Sequence, residues 1–538
     1  MASVKGMILD VVNRNQFLGE VVVEGGVIRE INPLDVAPER YILPGFVDAH
    51  IHIESSMLVP SRFARMAVRH GTVATVSDPH EIANVCGRKG VEFMIENGKK
   101  VPLKFYFGAP SCVPATPFET AGAELNIQDV EDLLDRDEIR YLAEMMNWPG
   151  VLEGDEVVTA KIQAALKRGK PVDGHAPGLR GERAARYAAA GITTDHECYS
   201  LEEAEDKLKE GMKIAIREGS AARNYEALIP LLRDYPGEVM FCSDDKHPDD
   251  LTRGHINELA GRSIARGFEL FDTLHASCVL PVRHYGLDVG LLQVGDPADF
   301  VVVNDPGDML VLETWIEGKC VFRNGKVNFP EVDFMPINNF TPYSLDPEDF
   351  AVRAGKKKHP VILARDGELV TGKSFEELPV ENGQVQPDMD RDILKVAVVN
   401  RYQKVKPSVG FIKNFGIREG AIASSVAHDS HNIIAVGSSD PYLSDVVNLI
   451  MENEGGIAAV DSLRKEVLPL PVAGIMSDRP GNEVASRYEN LNRMAGEMGS
   501  TLHSPFMLIS FMALLVIPSL KISDKGMFDA DQFEFIND

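Results

Sequence analysis

The sequence predicts an α/β protein centred on a (β/α)8 TIM-type barrel, and three observations predict it. From Pro44 onward, apolar runs of strand length alternate with amphipathic stretches of helical period. That alternation is the mark of βα units around a parallel sheet. About eight such units fill a little more than two hundred residues, the count and size of this barrel. Many of the runs also end in metal-ligating residue types, which a doubly wound open sheet does not require.

The elements follow in order. The first segment reads as short strands, "GMILDVV", "LGEVVVEGGVIREI" and "YILPG", with Gly25-Gly26 as a hairpin turn. The barrel strands are "GFVDAHIH", "TVATVSDPH", "LKFYFGAP", "IRYLAEMM", "KPVDGHAP", "GITTDHE", "KIAIREGS" and "EVMFCSDD". Between them lie helical patterns such as "SRFARMAVRHG", "VVTAKIQAALKRGK", "LEEAEDKLKEG" and "NYEALIPLLRDYPG". Several end in Lys, Arg or Gly, as helix C-termini prefer. After the barrel, "LDVGLLQVGDPADFVVVNDPGDMLVLETWIEGKCVFRNGKV" is strand-rich again and can pair with the N-terminal strands. The polar stretch "NNFTPYSLDPEDFAVRAGKKKHP" reads as a linker. The expected organisation is a flanking β-domain from residues 1–44 and 285–335, a barrel over 45–284, and a C-terminal α/β domain over 345–538.

At 538 residues the chain is too long for one core, so several domains are required. Its 44% hydrophobic and 25% charged content is that of a soluble globular protein. A formal charge of −26 argues against nucleic acid and against an anionic membrane surface as partners. The most apolar run, Phe506 to Leu520, falls short of the roughly 20 residues a membrane helix needs, and reads as a buried helix or an oligomer contact. The cysteines Cys86, Cys112, Cys198, Cys242, Cys278 and Cys320 form no C-x-x-C pair. With no signal-type segment at the start, they predict reduced thiols and a cytoplasmic protein.

The strand ends carry the chemistry, because functional side chains in such a barrel sit at the C-terminal ends of the strands. The first strand ends in His50 and His52, the second in Asp78 followed by His80 and Glu81. The fourth carries Glu144, the fifth His175, the sixth His196 and Glu197, and the eighth Asp244 and Asp245. Residues i and i+2 of a strand share a face, so His50 and His52 share either a metal or a solvated edge. Any one of these residues can equally be a cap or a turn, as "SDD" can cap the helix that follows. Together, imidazoles and carboxylates on one rim suit Zn, Fe or Mn.

The order H-x-H, Glu, His, His, Asp along the strands resembles the amidohydrolase superfamily. "PGFVDAHIHIESSML", "VSDPHEIANV", "AEMMNWPGV", "DGHAPG", "FCSDDKHP" and "VAHDSHNIIAVG" are similar to its adenine deaminase branch. The resemblance covers nearly the whole chain. It implies hydrolytic deamination of adenine to hypoxanthine and ammonia, in purine salvage or breakdown; the acidic surface and the apolar C-terminal segment are, separately, compatible with a homodimer. The resemblance also implies two divalent metal ions, with Mn or Fe favoured and Zn allowed. His50, His52 and Asp244 would hold one, His175 and His196 the other, with Glu144 bridging. Asp244 would serve as the base, and Glu81 as a substrate-facing acid beside the substrate-binding candidates Asp78 and His80. Glu197 and Asp245 would orient ligand imidazoles. The zinc deaminases with P-C-x-x-C are excluded, because the chain lacks that motif. The alternative is a hydantoinase- or dihydroorotase-type hydrolase of cyclic amides, which usually carries a lysine where "RYLAEMM" has Glu144. His428 and His431 in "HDSHN" read either as a second metal site or as structural polar residues.

Overall fold

The computed structural model describes residues 1–220 and 222–536. Alternation of buried and exposed residues in Ala2–Asp10 and Asn15–Glu24 gives the N-terminal strands one core-facing side. Gly25 and Gly26 both adopt positive φ, and this turn folds Val27–Pro33 back as the third strand. These strands and Tyr41–Pro44 share one eight-stranded sheet with four strands that follow much later, from Phe300–Val303 to Lys326–Val327. Tyr41–Pro44 is the joint: it runs parallel to Ala2–Asp10 and antiparallel to Phe300–Val303.

Eight short parallel strands come between these two segments. They are β1 (Phe46–Ile51), β2 (Thr72–Ser77), β3 (Lys104–Ala109), β4 (Ile139–Met145), β5 (Val172–Gly174), β6 (Thr194–Asp195), β7 (Lys213–Arg217) and β8 (Val239–Cys242). Strands β1 to β5 form a parallel half-barrel, and β6 to β8 a second parallel sheet of three. Every residue of β1 and β2 is buried, as expected for strands covered on both faces. Single parallel bridges, Val172 to Ile192 and Ile51 to Asp244, connect the two sheets. At the second bridge the His52 amide donates to the Asp244 carbonyl at 3.3 Å, and the Asp244 amide to the His50 carbonyl at 2.9 Å.

The intervening helices follow the sequence pattern with one correction. "NYEALIPLLRDYPG" is two short helices, Tyr225–Leu228 and Leu231–Asp234. Pro230 lies between them and has no amide hydrogen to donate.

The C-terminal part is built on a second eight-stranded sheet, from His359–Leu363 to Lys465–Pro469 in chain order. It carries the helices Asp440–Glu452 and Gly481–Glu497. The stretch read as a linker is packed down, not free. Leu345 and Phe350 are buried, and the Leu345 amide and carbonyl both bond the Asn448 side chain. The apolar run after Phe506 is not a single helix. Pro505–Ser510 is helical, Phe511–Ala513 tightens into a 3-10 turn, and Leu514 leaves the helical region at ψ 94°. The run is almost wholly buried within the chain, so it presents no apolar face to a second copy. Among the described residues, no helix is long and apolar enough to cross a membrane. The C-terminal part meets the loop after β1, where the Ser477 amide donates to the Met57 carbonyl at 2.8 Å.

Candidate active site

The ends of β1, β4, β5, β6 and β8 deliver their polar residues to one buried volume. His50 and His52, on and just after β1, bring their Nε2 atoms within 3.2 Å of each other. The Nδ1 of His52 donates to the Asp78 carbonyl at 3.2 Å, so its Nε2 is left as a bare acceptor pointing inward. Oδ1 of Asp244 lies 3.2 Å from that Nε2 and 3.6 Å from the Nε2 of His50. Oε2 of Glu144 lies 2.7 Å from Nδ1 of His175 and 3.1 Å from Nε2 of His196, while its Oε1 is 3.6 Å from Nε2 of His52. All six side chains are buried or nearly so.

Two imidazole nitrogens at 3.2 Å need a shared proton or a shared cation between them. The carboxylates supply the pull. Burial opposes protonation of His175, yet Glu197 and Glu144 push its pKa up to about 9. Burial likewise works against ionising Glu144 and Asp244, but His175 and His196 hold the first, and Arg217, His50 and His52 the second, well below the usual carboxylate range. A divalent cation replaces those imidazole protons and keeps the carboxylates ionised. The donor set of imidazole nitrogens and carboxylate oxygens therefore fits a divalent metal.

Asp78, His80 and Glu81 adjoin this volume. Asp78 Oδ2 accepts from His80 Nδ1 at 3.0 Å, and that nitrogen is also 3.3 Å from Glu144 Oε1. Glu81 stands in the first turn of the helix His80–Cys86 and is buried. The loop "IESSM" meets both flanks. Glu54 Oε1 accepts from the Ile82 amide at 3.3 Å, and the Ser55 hydroxyl donates to Asp245. Asp245 therefore points at Ser55 as well as toward His52. Glu197 lies 3.7 Å from His175 and 3.6 Å from His196. His247, in the loop after β8, is buried against the Tyr488 hydroxyl at 2.8 Å.

Residues 41–321 match the amidohydrolase family, and residues 368–534 match the adenine deaminase C-terminal domain. An adenine deaminase of Salinibacter ruber is 55% identical over 537 residues, covering 99% of this chain and 98% of that one. One from Methanosarcina mazei is 52% identical over 100% of this chain and 99% of its own, and one from a Sulfurovum species 54% identical over 99% of each. This chain belongs to the adenine deaminase family.

Within this adenine deaminase family member, four further side chains support the site, and the sequence reading assigned a role in it to none of them. Arg217, at the end of β7, donates to Asp244 Oδ2 at 2.6 Å and to Glu197. It leaves Oδ1 of Asp244 to face the imidazoles. An arginine closing an otherwise apolar strand was the available signal. Lys207 was read as part of a charged helix end but is fully buried. Its Nζ donates to Ala176 O at 2.7 Å, Asp195 Oδ2 at 3.1 Å and Glu203 Oε1 at 2.9 Å. Asp195 in turn accepts from the Ala176 and Glu197 amides, the neighbours of His175 and His196. Lys207→Met leaves two buried carboxylates without a counter-cation, so the expected loss is about 3–5 kcal/mol of stability. Urea unfolding measures it, and a loss under about 1 kcal/mol would show that the cluster does not brace these strand ends. The other two are His428 and His431, which reach Glu81 from the C-terminal part of the chain.

Proposed function

We propose that the protein hydrolyses adenine to hypoxanthine and ammonia with two divalent metal ions bound around Glu144. The observation that carries this reading is the convergence of four imidazoles with Glu144 and Asp244, in a chain similar over its full length to adenine deaminases. His50, His52 and Asp244 would hold one ion and His175 and His196 the other, with Glu144 placed to serve both. Mn or Fe is favoured, and Zn accepts the same ligands. Such ions supply water activated toward hydroxide near neutral pH.

The side chains do the remaining work. Asp244 Oδ1 takes the proton released as water attacks C6, and passes it to the departing amine. Arg217 holds the other oxygen, so the accepting atom stays aimed at the reacting centre. Glu81, in its protonated form, delivers a proton to a ring nitrogen, which makes C6 electrophilic, and recovers one as the C6 carbonyl forms, so that it returns to the state in which it began. The C6–N bond breaks and ammonia leaves. Asp78 keeps His52 and His80 in single orientations beside the substrate.

In this reading the two parallel sheets are one (β/α)8 TIM-type barrel over residues 45–284. A β-domain from residues 1–44 and 285–335 flanks it, and a C-terminal domain spans 345–538. The bridges Ile51–Asp244 and Val172–Ile192 support the closure, and the shared eight-stranded sheet supports the flanking domain. Six free cysteines support a reducing, cytoplasmic setting. The homodimer draws no support from the buried C-terminal segment, and sedimentation of the purified chain tests it. A cyclic-amide hydrolase is disfavoured because β4 offers Glu144 and not lysine.

The test is an assay of metal-loaded and chelated protein against adenine, adenosine and dihydroorotate. Ammonia release from adenine is expected, lost on chelation and restored by Mn or Fe. Ring opening of dihydroorotate with no ammonia from adenine would reverse the assignment.

A further inference from the structure

We propose that His428 and His431 are positioning residues for Glu81, so that the C-terminal domain completes the deamination site. The inference rests on the reading of Glu81 as the residue that serves the substrate ring. Each oxygen of the Glu81 carboxylate meets a different imidazole: Oε1 meets Nδ1 of His428, and Oε2 meets Nε2 of His431. Glu81 and His431 are almost wholly enclosed, and His428 nearly so.

The imidazoles are themselves held. Nδ1 of His431 accepts from the Ala427 amide at 3.2 Å. That bond fixes the tautomer, because a nitrogen that accepts carries no proton, and Nε2 must then donate to Glu81. His431 sits at φ +54°, a left-handed conformation uncommon outside glycine and asparagine, and its amide donates to the Ala427 carbonyl at 2.7 Å. His428 stacks on Phe511 with ring centroids 4.8 Å apart and planes 16° apart. The loop that carries them is tied to its neighbours at two points. The Tyr402 hydroxyl donates to Ser430 O at 2.6 Å, and just past His431 the side-chain Nδ2 of Asn432 donates to Thr120 O at 2.9 Å in the barrel half of the chain.

The consequence for Glu81 is geometric. Two donors, one on each oxygen, fix the plane of the carboxylate and leave its remaining lone pairs for the substrate. The edge that stays free lies toward His80, whose Nε2 is 3.5 Å from Oε1. Without the clamp, Glu81 is a flexible side chain at the first turn of a helix of seven residues. With it, the helix, the His80 imidazole and the C-terminal part of the chain share one fixed carboxylate.

The experiment is a mutant cycle on full-length, metal-loaded protein with adenine as substrate, reading kcat, KM and bound metal. H428A and H431A are each expected to lower kcat about 10–100-fold with metal content unchanged. In an E81Q background, adding either substitution is expected to change kcat by less than about 2-fold, because the clamp then has nothing to position. H428N and H431Q keep an N–H donor near the lost nitrogen and are expected to recover most of the activity. Unchanged kcat in the alanine variants, full additivity on E81Q, or asparagine and glutamine variants as poor as alanine would each overturn the inference. Ammonia release by the wild-type protein separates this outcome from failure of the functional reading, since an inactive wild-type protein overturns both.

Discussion

Asp244→Asn is expected to lower adenine turnover by about 10²–10⁴-fold while fold and adenine binding persist. Among the described residues, the Asp244 side chain is the one carboxylate within 4 Å of both imidazoles of the H-x-H pair, at 3.2 and 3.6 Å. Arg217 donates to its other oxygen, so in the variant the amide carbonyl turns to the arginine and the NH2 group faces the imidazoles. That arrangement removes the proton acceptor and keeps the shape. Adenine binding measured by calorimetry and turnover measured by ammonia release separate the two effects. Turnover within a few-fold of wild type would remove Asp244 from the role of base. The backbone at this position is also unusual, with φ at +54°, which aspartate tolerates better than most residues and asparagine tolerates as well. The substitution therefore tests chemistry and not backbone strain.

Glu144→Ala is expected to reduce bound metal from two ions per chain to one or none, with turnover lost in step. Four imidazoles from β1, β5, β6 and the loop after β2 surround this carboxylate within 3.6 Å. Alanine leaves them with no anion between them, so two cations in the same volume repel with nothing to screen them. Metal analysis of the purified variant decides the matter. Two ions retained would show that Glu144 does not bridge. Glu144→Gln, which keeps the size and one acceptor, is expected to fall between wild type and alanine in metal content.

Much of this site was legible because each strand end carries its own short signal. H-x-H on β1, a glutamate on β4, histidines after β5 and on β6's exit, and Asp244 after β8 can be read without knowing the fold in detail. The strands themselves were legible for a related reason: full burial on both faces leaves continuous apolar runs. What escaped was long-range pairing. His428 and His431 differ in nothing local from structural histidines, and their partner Glu81 lies 347 and 350 residues earlier. Lys207 sits among glutamates and lysines in a helix that looks solvent-facing, and only the packed fold reveals that it is dry. Arg217 ends a strand whose exit had no recognised role. In each case the residue acts through a second residue, and sequence adjacency carries no information about that second residue. The helix expected over Phe506 to Leu520 failed for a different reason: an apolar run specifies burial, and burial alone does not specify conformation.

The pairing of β1 with the exit of β8 also bears on how the chain reaches its native state. Asp48 accepts from the Ser243 amide at 3.0 Å across 195 residues of intervening chain. His255 Nε2 stands 2.8 Å from the same carboxylate and meets Thr72 Oγ1 through its Nδ1 at 2.6 Å. These contacts join residues about two hundred positions apart, so the entropy of bringing the two segments together is spent before they form. His50, His52 and Asp244 lie on that seam. The three side chains therefore come together only where β1 meets the exit of β8, and a chain in which these two segments are apart has the ligands but not the place for a cation.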